Sequence, residues 1–215
     1  MQAKIDFPQF IKDLKIQLTK DLPGLSTQLK MVPAYKRFPN QFKDFKEPIP
    51  AAVLICLFPK NEKWEFILTE RTGTVEFHRN QISFPGGAKE EDESFEETAL
   101  RESYEEIGLD GETVNVIGEL SPLLIPVSGF LVHPFVGWIE SEPDLMPAPE
   151  EVSKIHQVSL GELLNDANLK SEMRNFQGLD IEVPYYHING IKVWGATAAI
   201  LSELREIILT ANNSG

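Results

Sequence analysis

The chain has 215 residues, a formal net charge of −13 and 25% charged residues. That acidity argues against a general nucleic-acid binder, which needs a basic stripe to meet phosphates. The near-average apolar share argues against disorder. No apolar run approaches the ~18 residues needed to span a membrane, no signal peptide is read, and the single cysteine, Cys56, cannot close an internal disulfide. The expectation is one domain with extensions, acting as a cytoplasmic enzyme.

Residues 5–20 place Ile5, Phe10, Ile11, Leu14 and Leu18 near helical spacing with lysines between them. This reads as an amphipathic helix packed on the main body, ended by Pro23-Gly24. Residues 33–50 mix prolines with Tyr35, Lys36, Arg37, Phe38, Phe42, Lys43, Phe45 and Lys46. The run is short and the chain acidic, so an ordered lead-in is expected there. The division is therefore 1–48, an N-terminal helix and lead-in, and 49–215, the main domain. Strands are expected at 51–58 and 64–69, joined by a turn at Pro59-Lys60-Asn61-Glu62, with Cys56 as a small core residue.

Phe84-Pro85-Gly86-Gly87 reads as a turn whose backbone can approach a ligand, two positions having no Cβ. A helix follows. Ser94 and Glu97 have capping-box spacing, Phe95, Ala99, Ser103 and Ile107 form an inward stripe, and Gly108 suits a C′ position. On it, Glu102, Glu105 and Glu106 are spaced i, i+3, i+4 and are expected to share one face. Like charges at i, i+4 repel, and acids in a last turn oppose the helix dipole. A hard cation such as Mg²⁺ or Mn²⁺, which prefers oxygen ligands, makes the cluster understandable.

Further strands are expected at 113–118, 131–139 and Ile155–Val158, and a short helix at 159–166. Tyr185–His187 and Ile191–Trp194 flank Asn189-Gly190, a strong hairpin signal. A last helix over 195–210 turns Ala199, Ile200, Leu204, Ile207 and Ile208 inward. Strands before and after a central helix, closed by a terminal helix, imply a mixed sheet between helices.

The stretch GAKEEDESFEETALRESYEEIGL over residues 87–109 resembles the Nudix box, through Gly87, Glu93, Arg101-Glu102, Glu105-Glu106 and Gly108. It departs at Ser103, where an aliphatic residue is usual. The resemblance implies an α/β/α sandwich, an α/β (α+β) fold with a mixed sheet and here an N-terminal helical extension. It also implies metal-dependent hydrolysis of a nucleoside diphosphate derivative.

Upstream, Leu68-Thr69-Glu70-Arg71-Thr72 and His78-Arg79-Asn80-Gln81-Ile82-Ser83-Phe84-Pro85-Gly86-Gly87 are similar to a segment of coenzyme A pyrophosphatases. So are Ser128–Phe130, Val132–Gly137, Glu151-Val152 and Ile191–Ala198. Asn80, Glu76 and Glu90 depart from that subfamily. The implied reaction cleaves coenzyme A or acyl-coenzyme A to (acyl-)4′-phosphopantetheine and adenosine 3′,5′-bisphosphate. The alternatives are ADP-ribose or a dinucleotide as substrate, or a catalytically silent ligand-sensing module.

By position in the box, Glu105 and Glu106 are the first candidate metal ligands, Glu102 is ligand or base, and the Gly86 carbonyl is a further ligand, for Mg²⁺ or Mn²⁺. Glu93 and Arg101 are expected as an ion pair supporting the site beside Gly87. Glu150 or Glu151 is the candidate base from outside the box. Arg71, His78 and Gln81 are candidate substrate contacts, and His133 and His187 are assigned to packing or hydrogen bonding. The expected partner is a small nucleotide, with no nucleic acid or membrane, and the chain is a monomer or homodimer.

Overall fold

A computed structural model describes residues 7–33, 47–72, 81–176 and 178–212. His78, Glu76, Asn80 and the basic-aromatic lead-in at 35–46 lie outside the described residues. Helix α1 is Phe7–Leu18 and the short α2 Leu25–Gln28. Then come β1 Ile49–Lys60, β2 Lys63–Arg71, β3 Ile82–Ser83, β4 Gly86–Ala88 and α3 Phe95–Ile107. Strands β5 Asn115–Glu119, β6 Leu123–Ile125, β7 Phe130–Trp138 and β8 Val152–Ser159 lead to α4 Leu160–Leu164. The chain closes with β9 Leu169–Phe176, β10 Leu179–Ile188, β11 Ile191–Trp194 and α5 Gly195–Asn212.

The fold is an α/β/α sandwich around a mixed sheet of order β3-β2-β1-β7-β5, with β8 also on β2, β4 on β1 and β6 on β7. β1 and β7 run parallel and the other pairs antiparallel. β1 is central and covered on both faces, which explains its unbroken apolar sequence. Ala52, Leu54, Cys56 and Phe58 pack with Ala99 and Ile107 of α3. Ala51, Ile55 and Leu57 pack on the other side, with Ile11, Leu14 and Leu18 of α1 and Leu201, Leu204 and Ile208 of α5. Burial pushes the Cys56 thiol up to about 12, so it is an inert core residue.

Pro59 and Lys60 belong to β1 rather than to the turn, which is Asn61-Glu62 alone, both at positive φ. Proline is tolerated there because β7 flanks β1 only as far as Leu57, leaving a local edge. The 84–87 turn gives way to a strand: Gly86 and Gly87 pair with Val53 and Ala52. The helix expected at 159–166 stops at Leu164, and Asn165 caps a separate turn of 3₁₀ helix.

A second sheet, β11-β10-β9, is wholly antiparallel. Its β10–β11 hairpin uses Asn189 and Gly190 at φ 47° and 78°, as a type I′ turn requires. Where that sheet and the N-terminal helices meet the sandwich, α5 carries Glu203, which has no exposed surface. Its carboxylate accepts from the Gly24 N–H at 3.0 Å, Gln28 Nε2 at 2.9 Å and the Ser121 hydroxyl at 2.6 Å.

Candidate active site

Helix α3 is specified locally at both ends. The Ser94 hydroxyl accepts from the Glu97 N–H at 3.2 Å, and the Glu97 carboxylate accepts from the Ser94 N–H at 2.7 Å. Gly108 closes the helix at φ 69°. Thr98, Ala99, Ser103, Glu106 and Ile107 are buried, and Ser103 satisfies its hydroxyl on the Ala99 carbonyl at 2.7 Å.

The three carboxylates of the last two turns do not share one environment. Glu105 and Glu106 are adjacent, so they point about 100° apart around the axis. Glu105 is 55% exposed, Glu102 16% exposed, and Glu106 is buried at 3%. Arg101 organises the outer pair: it donates to Glu102 at 2.9 Å and to Glu105 at 3.0 Å. It also grips Glu93 through Nε at 3.0 Å and Nη2 at 2.9 Å, and reaches the Ala88 carbonyl at 3.2 Å. One guanidinium thus ties the 88–93 loop to two acids of the helix.

The Arg101 bonds hold Glu93 down to about 2, below its ordinary 4.5, helped by the Glu90 N–H and the Thr98 hydroxyl. A depressed carboxylate stabilises the fold fully above its unfolded value and loses that contribution as pH falls toward the folded one. Glu93→Gln is therefore expected to cost about 1–2 kcal/mol at pH 7. Melting curves of the two proteins should converge between pH 4.5 and 2; thermal unfolding across that range checks it.

Glu106 forms the inner part of the site. Burial pushes its carboxyl up to about 7, reinforced by the charges of Glu102 and Glu151 and opposed by Arg71 and the Gly86 N–H. The Gly86 N–H donates to Glu106 Oε2 at 3.2 Å, so the contact seen with this glycine is through its N–H. Burial also raises Glu102 above the usual carboxylate range, with Arg101 opposing and Glu105 and Glu151 adding repulsion. Gly86 is sterically required: a Cβ there would lie 2.3 Å from the Ala52 carbonyl oxygen, whereas one on Gly87 would meet only the movable end of the Glu102 side chain, at 2.5 Å.

Glu151 reaches this cluster through the end of α3. The last carbonyls of a helix lack internal partners; here the N–H groups of Met146 and Ala148 donate to Ile107 and Glu106 at 3.0 and 2.8 Å. That fixes the 146–151 loop against the helix. Thr72 then binds it from the other side, N–H to the Glu151 carbonyl at 3.0 Å and hydroxyl to the Glu150 carbonyl at 2.7 Å. Arg71 ends β2 beside this loop, opposite Val152, and its N–H donates to the Gln81 carbonyl at 3.1 Å. Glu102, Glu106, Glu151, Arg71 and Gln81 are thereby gathered from α3, the β8 lead-in, β2 and the β3 lead-in.

A model of the NUDIX domain family matches residues 48–177, more than half of the chain. The chain belongs to the Nudix family. It is 34% identical over 180 residues to an uncharacterized Nudix hydrolase NudL of Photorhabdus laumondii, covering 83% of this chain and 92% of that one. Nudix hydrolase 3 of Caenorhabditis elegans is 30% identical over 210 residues, covering 90% and 84%. Mitochondrial Nudix hydrolase 15 of Arabidopsis thaliana is 37% identical over 176 residues, which is 76% of this chain and 58% of that longer one. Among solved structures, the Mycobacterium smegmatis Nudix hydrolase RenU shares the fold at a TM-score of 0.52 and 18% identity, covering 77% of this chain and 89% of that one. The protein is a Nudix pyrophosphohydrolase that acts on the diphosphate bond of nucleoside diphosphate derivatives.

Nudix hydrolases generally use divalent ions such as Mg²⁺ or Mn²⁺. The donor set suits a hard cation: carboxylates and backbone oxygens, with a buried Glu106 whose charge burial and two neighbouring acids oppose. Among the described residues no three acids or histidines converge as a ready-made metal cluster; Arg101 holds Glu102 and Glu105. An ion that takes those carboxylates has to compete with its guanidinium.

The histidines divide. His133 Nδ1 lies 2.6 Å from Glu119, and its ring stacks on Phe95 at 3.7 Å, a packing and hydrogen-bonding arrangement. His187 is exposed on β10 rather than packed. His156, not singled out by sequence, is buried with Nε2 3.0 Å from Glu70, next to Arg71. No helix among the described residues is long and apolar enough to cross a membrane.

Proposed function

We propose that this Nudix hydrolase cleaves the diphosphate of coenzyme A or its acyl thioesters, giving (acyl-)4′-phosphopantetheine and adenosine 3′,5′-bisphosphate. The observation that carries the reading is the surroundings of the buried Glu106. Both segments that resemble coenzyme A pyrophosphatases, Leu68–Thr72 and Gln81–Gly87, meet there: Arg71 acts on Glu106 through its charge and Gly86 through its N–H. We take residues 49–215 as the hydrolase unit, with 1–48 docked on it.

In this proposal Glu105, Glu106 and Glu102, with the Gly86 carbonyl, hold Mg²⁺ or Mn²⁺. The ion supplies neutralisation of the diphosphate oxygens and activation of water. Glu93 and Arg101 keep the Gly87 loop on the helix. Arg71, Gln81 and His78 bind substrate, and Arg71 steadies charge on a phosphate oxygen. Glu151 takes the proton from the attacking water as its oxygen bonds to phosphorus and the bridging P–O bond breaks. Attack at either phosphorus gives the same two products. Charge stabilisation and positioning supply most of the rate in such reactions.

The test is kcat/KM for coenzyme A, acetyl-coenzyme A, ADP-ribose and diadenosine tetraphosphate with Mg²⁺ and Mn²⁺. The proposal expects a coenzyme A species to lead by about tenfold or more, the scale of one good specificity contact. A preference for ADP-ribose or the dinucleotide overturns the substrate assignment. Absence of turnover on all four points to a silent ligand-binding module.

A further inference from the structure

Five side chains on β9–β11 form a cationic, aromatic face that the hydrolytic site does not use. Tyr185 and Trp194 are cross-strand partners, so they share a face. Lys192 lies two residues before Trp194, on the same side. Glu172 and Arg174 stand opposite Val183 and Ile181, which alternate in step with Tyr185 and so bring both to that face. The Arg174 guanidinium stacks 4.3 Å from the Trp194 ring, and Lys192 Nζ sits 4.6 Å from the Tyr185 ring. Glu172 binds both cations, accepting from Arg174 Nε at 2.6 Å and from Lys192. Trp194 stays 37% exposed, and the Lys192 side chain 39%.

Two cations share one carboxylate, leaving a local positive excess on a chain of net charge −13. A surface ion pair contributes about 0–1 kcal/mol, so stability alone gives little reason for two cation–aromatic stacks in one place. Arg174 has five N–H donors in a planar fork, and among the described residues only Nε has an acceptor. Such a fork matches a phosphate, and a partly exposed indole beside it suits stacking by a planar base.

The strand that carries Trp194 is joined to the segment leading into the hydrolytic site. β11 lies against β3, and the Thr197 hydroxyl, just past Trp194, donates to the Ile82 carbonyl at 2.9 Å. From Ile82 the chain runs through Phe84-Pro85 to Gly86, whose N–H meets Glu106. Four residues span at most about 13 Å, on the scale of a nucleoside reaching away from a diphosphate.

We infer that this face binds the 3′-phosphorylated adenosine end of the substrate, Arg174 and Lys192 taking the phosphomonoester and Trp194 the adenine. The inference rests on the coenzyme A reading and deepens it. ADP-ribose and diadenosine polyphosphates carry no phosphomonoester on the adenosine ribose, so the face supplies discrimination against them.

Calorimetric titration of the full chain with adenosine 3′,5′-bisphosphate and with AMP tests it without needing turnover. The bisphosphate is expected to bind about tenfold or more tightly than AMP, as a charge-assisted phosphate contact gives. Arg174→Ala and Lys192→Ala should each shrink that gap, Arg174→Lys should restore part of it, and Trp194→Ala should weaken both ligands. In parallel, the ratio of kcat/KM for coenzyme A to that for 3′-dephospho-coenzyme A should fall in both cation variants. Equal affinities in the wild type, or variants with unchanged gaps and unchanged melting temperatures, overturn the inference. A bisphosphate preference in a protein that fails to hydrolyse coenzyme A supports the face and overturns the reaction instead.

Discussion

Glu106→Gln is expected to lower kcat by about 10³-fold or more, the scale of losing a group that organises charge in a water-excluded site, and to make the metal-free protein more stable. The two effects have one cause. Glu106 is buried, its carboxyl is pushed up to about 7 by that burial, and Glu102 and Glu151 add repulsion. A raised carboxylate keeps in the folded state a proton that the unfolded chain releases above 4.5. Metal-free stability therefore falls as pH rises from 4.5 through 7. Glutamine removes the charge and retains an oxygen for the Gly86 N–H. At pH 8 without metal the variant should gain about 1–2 kcal/mol over wild type. With Mg²⁺ the order should reverse, because an ion that binds only the folded wild type stabilises it by mass action. Thermal melts with and without Mg²⁺, beside steady-state kinetics, check all three. Equal metal-free stability would contradict the burial argument, and retained turnover would contradict the role in the site.

The other large effect lies far from that helix. Glu203→Ala is expected to destabilise the protein by about 3–5 kcal/mol, the cost of leaving several buried neutral donors without their acceptor, or roughly 10 °C in melting temperature. Glu203 has no exposed surface, and its carboxylate unites Gly24, Gln28 and Ser121. Alanine leaves the Gly24 N–H and the Gln28 amide buried with one acceptor fewer, while the Ser202 hydroxyl still holds the Thr27 carbonyl at 3.1 Å. Because Gly24 caps α2 and Gln28 ends it, amide hydrogen exchange should rise first in α2 and in α1, which precedes it. A variant melting within a few degrees of wild type, with α1 still protected, would show that the carboxylate does not hold those helices.

How legible these features are in sequence depends on how local their causes are. α3 is readable at both ends because Ser94, Glu97 and Gly108 act within a turn of the helix they bound. The apolar run of β1 and the Asn189-Gly190 hairpin are readable for the same reason. Strand β4 is not, because Gly86 and Gly87 read as a turn until Ala52 and Val53 lie against them. β9 carries Lys170, Glu172 and Arg174 on one face and Ser171, Met173 and Asn175 on the other, so no apolar alternation announces it. The spacing of Glu102, Glu105 and Glu106 places them near one another. The unequal burial comes from what packs on α3, while Arg101 binds the outer two. Glu203 reads as one acid in an apolar helix, since its partners lie far away in sequence. The link of Glu151 to the helix depends on Met146 and Ala148 completing helix carbonyls, a tertiary pairing with no motif of its own.

The most direct test of the central claim is mass-spectrometric identification of the products formed from coenzyme A by the wild type and by Glu106→Gln, with and without Mg²⁺. The account predicts equal amounts of 4′-phosphopantetheine and adenosine 3′,5′-bisphosphate from the wild type with metal, and intact coenzyme A without metal or in the variant. Intact coenzyme A in every sample, or cleavage anywhere but the diphosphate, would contradict it.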